Sequence, residues 1–136
     1  MNQERRDFLK KAGAFCGLAM IPAVLQNCSQ NIPQPANQNF TLDLTDPANS
    51  ALNNVGGFIY KNNLVIIRTS SSNFEAISDI CTHAGCQVQY YSSQKEFYCP
   101  CHGGVYDING KVVGGPPPAP LRTYNTSLSG NVLTIG

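Results

Sequence analysis

Positive charge is scarce over most of this 136-residue chain. From Cys28 onward five Lys/Arg (Lys61, Arg68, Lys95, Lys111, Arg122) face six Asp/Glu (Asp43, Asp46, Glu75, Asp79, Glu96, Asp107), a balance of one negative charge. With no basic stripe and no arginine run, nucleic acid is excluded as a partner. Long hydrophobic runs are missing too. The apolar segment Ala12 to Leu25 has fourteen residues, short of the roughly twenty that a membrane-crossing helix needs. No long stretch keeps a helical period, which argues against a helical bundle. The length allows one domain at most. A body of roughly 110 residues buries only a modest core, which a covalent or metal staple would help.

What is present is a series of short strand signals separated by turn residues. Phe40-Thr41-Leu42-Asp43-Leu44 alternates. Phe58-Ile59-Tyr60 and Leu64-Val65-Ile66-Ile67-Arg68 flank the turn Lys61-Asn62-Asn63, and Phe74 to Ile80 alternates again. Val88 to Tyr91 and Glu96 to Tyr98 flank the polar turn Ser92 to Lys95. Val105 to Asp107 and Lys111 to Val113 form a hairpin around Asn109-Gly110, a strong turn signal. Thr123 to Leu128 is expected to pair with Asn131 to Ile135 around Ser129-Gly130. The expectation is an all-β body, residues 40–136, of short antiparallel strands.

Histidine is rarer still, and its placement is telling. Both histidines and four of the six cysteines fall in two boxes, Cys81-Thr82-His83-Ala84-Gly85-Cys86 and Cys99-Pro100-Cys101-His102-Gly103-Gly104. Thiolate and imidazole are ligands for zinc, iron and copper. A tetrahedral zinc on Cys81, His83, Cys99 and His102 fits the ligand types. Its Cys-x-His spacing is tight, however, and it leaves Cys86 and Cys101 without a role. A pure disulfide scaffold allows three pairings of four cysteines but gives both histidines nothing to do. The third arrangement is a [2Fe-2S] centre in which two histidines replace two cysteines on one iron.

The boxes resemble the Rieske signature, and the resemblance runs from about Phe58 to Ile135. It implies a small antiparallel β-sandwich or barrel with a cluster-binding subdomain from about Cys81 to Pro120. Cys81 and Cys99 would hold the buried iron of one [2Fe-2S] cluster, and His83 and His102 the outer iron. Cys86 and Cys101 match the pair that forms a disulfide bracing the cluster loops in the respiratory branch. Gly103 and Gly104 would bring backbone N–H groups to the sulfides. Tyr106 matches a tyrosine whose hydroxyl bonds a cluster cysteine, and Gly114 to Pro120, with Pro116 and Pro117, resembles the rigid proline loop that covers the cluster. Two ferric ions, two sulfides and two thiolates sum to zero charge with neutral imidazoles. That raises the potential into a range of roughly −150 to +300 mV. Imidazole ligands that release a proton on oxidation would couple electron uptake to proton uptake.

Two positions depart from the quinol-oxidising pattern. Gly104 stands where a serine usually bonds a sulfide, so Gly104→Ser is expected to raise the potential. Ala84 stands where a leucine packs against the quinol site. Together they bring menaquinol or a non-quinol partner into consideration.

The first residues carry separate signals. Arg5-Arg6-Asp7-Phe8-Leu9-Lys10 resembles the twin-arginine export signal, whose folded cargo suits a cluster assembled in the cytoplasm. Leu25-Gln26-Asn27-Cys28 looks like a bacterial lipoprotein box with Cys28 as the acylated residue. Residues 1–28 then form a leader or membrane anchor. Residues 29–39, rich in Asn, Gln and Pro, form a polar tether without packing of its own. The expected location is the outer, periplasmic face of a bacterial membrane, where the disulfide would close.

The function implied by the resemblance is one-electron transfer, without catalysis by the chain alone. The chain would be the iron–sulfur subunit of a membrane quinol-oxidising complex with cytochrome b and cytochrome c type partners. The alternatives are the small subunit beside the large subunit of an exported molybdenum oxidase of the arsenite-oxidase type, or a freestanding tethered carrier.

Overall fold

The computed structural model describes residues 32–136. The twin-arginine-like and lipoprotein-like motifs, the apolar segment, Cys16 and Cys28 lie outside the described residues. Among the described residues eleven strands form three antiparallel sheets, so the all-β expectation holds.

The chain path follows from its turns. β2 (Phe58–Lys61) and β3 (Leu64–Arg68) pair with Lys61 opposite Leu64. The loop between them is only Asn62-Asn63, both at positive φ (53° and 59°), the combination a two-residue hairpin turn demands and asparagine tolerates. β4 (Phe74–Ser78) pairs with β3. β1 (Phe40–Asp43), β10 (Thr126–Ser129) and β11 (Val132–Ile135) form a second sheet. β5 (Gln89–Tyr91), β6 (Glu96–Cys99), β7 (Gly104–Asp107) and β8 (Val112–Gly114) form the third.

β3 is the centre of the stack. Leu64 and Ile66 enter the core shared with the β1-β11-β10 sheet, while Val65 and Ile67 enter the core shared with the β5–β8 sheet. Successive strand residues point to opposite faces, so a strand between two cores carries the unbroken run Leu-Val-Ile-Ile, all four at most 1% exposed. The sandwich is the base, and the β5–β8 sheet, where the cluster-binding subdomain was expected, lies on its other face.

Three details differ from the sequence expectation. Thr123 to Leu128 is not one strand. β9 (Thr123–Tyr124) pairs with β4, and Asn125 exchanges backbone bonds with Gly136 (2.9 and 3.0 Å). The chain then continues as β10 in the other sheet, turning the corner of the sandwich there. A 3₁₀ helix, Pro47–Asn53, carries too few residues to show a period. Asp46 caps it through Ala48 N (2.9 Å), and its Leu52 is fully buried in the base core. Finally, the C-terminal part of the expected tether packs. Residues 32–39 form no regular element, yet Pro35 is buried and its carbonyl accepts the Tyr124 hydroxyl at 2.6 Å. Polar composition removes the hydrophobic drive for packing but not hydrogen bonding to a preformed surface.

Candidate metal centre

The two boxes become two loops of matching shape at one end of the β5–β8 sheet. The first leaves β4 and is closed at its stem by the Ile80–Gln87 bridge and by Cys81 N donating to Cys86 O (2.8 Å). The second joins β6 to β7, with Cys99 paired to Gly104. In each, the glycine four residues after the cysteine donates its N–H back to that cysteine's carbonyl: Gly85 to Cys81 (2.9 Å) and Gly103 to Cys99 (3.0 Å). Both glycines sit at φ +74°, where a side chain would be strained.

This turn wraps backbone amides around each sulfur. Burial pushes the Cys81 thiol up, but bonds from Tyr106 and Cys99 and from the amides of His83 and Ala84 outweigh it, and the net direction is down. Burial raises Cys99, and the neighbouring Cys81 adds to the rise against the amides of Cys101 and His102. Cys81 and Cys99 are free thiols, each 1% exposed. His83 and His102 stand at the rim with ring centroids 4.7 Å apart and nearly perpendicular. His83 is half-buried and His102 exposed. Sulfur donors therefore lie inside and imidazoles outside.

Cys86 and Cys101 form a disulfide that ties the first loop to the second. A pure disulfide scaffold is thereby set aside, because the other two thiols stay free. The Cys99 sulfur lies within 4.8 Å of both disulfide sulfurs, so the bridge packs directly against a buried thiol. Serine at both Cys86 and Cys101 should speed loss of the bound group without changing its spectrum; equal loss rates in variant and parent would remove the bracing role.

Behind the sulfurs, the Tyr106 hydroxyl contacts Cys81 Sγ (3.3 Å) and accepts from Thr82 N (3.1 Å). Burial, with the Cys81 hydrogen bond next, pushes Tyr106 up to about 12, so the phenol keeps its proton as a donor. A donor to sulfur favours the electron-rich state. Tyr106→Phe should therefore lower the reduction potential by roughly 40 mV, the equivalent of one net hydrogen bond of about 1 kcal/mol; voltammetry reads this directly.

Sequence reasoning missed Thr82. Its hydroxyl contacts Tyr106 (3.1 Å) and donates to the Ala119 carbonyl (2.6 Å), hooking the proline loop to the first box. A hydroxyl between two donor residues was the available signal, but its partner lies 37 residues along the chain. The proline loop covers the second loop from behind. Pro117 is buried and Pro116 exposed, so of the two prolines singled out Pro117 makes the seal. A Cβ on Gly104 would come within 2.6 Å of Pro117 Cγ, and one on Gly115 within 2.6 Å of the Gly103 carbonyl. Gly104 is therefore tightly packed, and Gly104→Ser carries a steric cost that the expectation on the potential leaves out.

The donor set fits a [2Fe-2S] group on an observation of its own. Among the described residues, His83 Nδ1 is a buried side-chain atom without a hydrogen-bond partner. Such an orphaned atom is costly unless something binds it. It lies in the same loop as Cys81, a buried free thiol, and thiolate with imidazole is a donor pair that iron accepts.

Known proteins agree with this geometry. The family model described as Rieske [2Fe-2S] domain matches residues 45–125. The cytochrome b6-f complex iron-sulfur subunit of Chlorobaculum thiosulfatiphilum is 31% identical over 97% of this chain and 75% of its own length. That of Chlorobaculum tepidum is 30% identical with the same coverage. Among solved structures, the plasma membrane Rieske protein PetC3 from Synechocystis PCC 6803 aligns with a TM-score of 0.50 and 36% identity, over 54% of this chain and 75% of that one. Matched across its donor loops and nearly its whole length, the chain belongs to the Rieske [2Fe-2S] domain family.

Proposed function

We propose that the chain is the iron–sulfur electron-transfer subunit of a cytochrome bc-type complex. Cys81 and Cys99 would hold one iron of its cluster, and His83 and His102 the other. Bound there, a [2Fe-2S] cluster supplies one-electron chemistry. The observation that carries this reading is the polarity of the site. Its thiols are sealed by the disulfide, Tyr106 and Pro117, and its imidazoles stand at the open rim. The rim is where a partner's donor or acceptor can approach, so His83 and His102 would both hold the group and present it to that partner. Two iron–sulfur subunits of cytochrome b6-f complexes match nearly the full chain.

The reading extends to the residues before Ile32. The twin-arginine-like motif and Cys28 favour an exported domain held at the outer face of a membrane. Cys28 precedes Ile32 by four residues, a span of at most about 14 Å. An acyl group on Cys28 would hold the domain close to the lipid surface while residues 32–37 stay docked. Flotation of the full chain with lipid vesicles, lost in Cys28→Ala, is the expected result; equal flotation of both would remove Cys28 as the anchor.

Voltammetry across pH tests the quinol reading. Quinol oxidation releases protons with electrons, so a potential that falls as pH rises through neutral is expected. A low potential independent of pH would contradict quinol as the donor and favour a subunit of a different oxidase.

A further inference from the structure

The chain crosses between base and cluster-binding subdomain at two adjacent places. It leaves after β4 through Asp79 and Ile80, and returns through Leu121 and Arg122, where Ser78 N donates to Arg122 O (2.8 Å). Both crossings are touched by one side chain from far away in sequence. Gln34 donates from Nε2 to the Ile80 carbonyl at 3.0 Å and accepts from Arg122 N at 3.5 Å.

The segment around Gln34 is held on both sides. Downstream, the Arg122 guanidinium lies 5.3 Å over the Tyr124 ring and donates to the Pro35 carbonyl (3.4 Å) and to Asn37 Oδ1 (2.9 Å). The buried Tyr124 hydroxyl donates to the same Pro35 carbonyl. Upstream, the Ile32 side chain lies 3.5 Å from where a Cβ on Gly85 would stand. Residues 32–37 thus run from the base, over the junction, onto the first donor loop. None of the contacts reaches the second loop.

We infer that residues 32–37 are an outer brace for the first ligand loop, with Gln34 a positioning residue for Cys81 and His83. The physical argument is one of leverage. The Ile80 carbonyl belongs to the peptide group that carries the Cys81 N–H, and that N–H closes the loop on Cys86. Holding the carbonyl holds the plane of this peptide, because peptide groups are rigid, and so narrows the directions in which the Cys81 side chain can leave the stem. Ile32 at the far side of the loop limits outward movement of Gly85, the glycine that closes the turn around the Cys81 sulfur. Because the brace is continuous with the chain's N-terminal segment, displacing that segment loosens one loop and leaves the other intact.

Hydrogen exchange read by mass spectrometry on the full, cluster-loaded chain tests this, comparing peptides over 79–88 and over 99–107. Gln34→Ala should speed exchange in the first peptide and release of the cluster by about three- to tenfold, the range one net hydrogen bond supplies. The second peptide should keep the parent's rate. Gln34→Glu keeps the acceptor for Arg122 N but cannot donate to Ile80, so it should match Gln34→Ala. Unchanged exchange in the first peptide would overturn the inference. So would equal acceleration in both peptides, which marks a general loss of stability, or full rescue by Gln34→Glu. The inference rests on Cys81 and His83 being ligands. A parent chain that binds no cluster would refute that reading, whereas a loaded parent indifferent to Gln34 would refute only the brace.

Discussion

His102→Ala yields a folded protein without a Rieske spectrum. Neither hydrophobic core contains His102, and the loop that carries it is closed by Cys99–Gly104 pairing and by Gly103 N donating to Cys99 O. Removing the imidazole leaves that framework and the disulfide in place, so circular dichroism should report the parent's β content. With His102 as a ligand, the iron at the exposed rim would lose one of its two imidazoles, and water would compete for the vacated position. Loaded cluster should fall by more than tenfold, read by visible absorption and by EPR of the reduced protein. Because ligand loss acts on binding rather than folding, thermal stability of the cluster-free forms should be alike in parent and variant. A retained spectrum would remove His102 from the ligand set.

Gly104→Ser destabilises the protein, and truncating Pro117 restores much of the loss. The site is buried, and a Cβ would meet Pro117 Cγ at 2.6 Å, Pro117 Cδ at 3.1 Å and Cys99 Cβ at 3.5 Å. A proline ring has little freedom to retreat. Overpacking of this kind costs about 1–3 kcal/mol, and each kcal/mol lowers the melting temperature of a domain this size by about 4–8 °C. The loop that must move is the one Thr82 holds through the Ala119 carbonyl, so cluster release should quicken as well. In Gly104→Ser/Pro117→Ala the clash is removed, and the two effects should be strongly non-additive. Melting curves of the four proteins decide it. Additive losses would mean that Pro117 does not set the space at Gly104. The gain in potential that a serine hydroxyl brings elsewhere is expected here only in the double variant.

These two cases mark what the residues reveal unaided. The two boxes stand out because four cysteines and both histidines of a 136-residue chain fall in them, and few chemistries need that mixture. The hairpins were readable because Asn62-Asn63 and Asn109-Gly110 carry their turn geometry locally, with Asn62, Asn63 and Gly110 all at positive φ. Packing that depends on distant partners was not. Gly104 looks like a missing serine until Pro117 is placed against it. Thr82 is silent until Ala119 passes over it. Gln34 sits in a segment whose composition promises no structure, yet its two partners lie 46 and 88 residues away. The change of sheet at Asn125 likewise follows from its pairing with Gly136, which no local pattern encodes.

Nitrogen hyperfine spectroscopy on the reduced, cluster-loaded chain tests the central claim most directly. With Cys81, Cys99, His83 and His102 as ligands, two nitrogen couplings from imidazoles bound to one iron are expected. His83→Ala or His102→Ala should remove both together with the cluster signal. A signal without nitrogen coupling, or a colourless protein that binds zinc through the same four residues, would contradict the assignment.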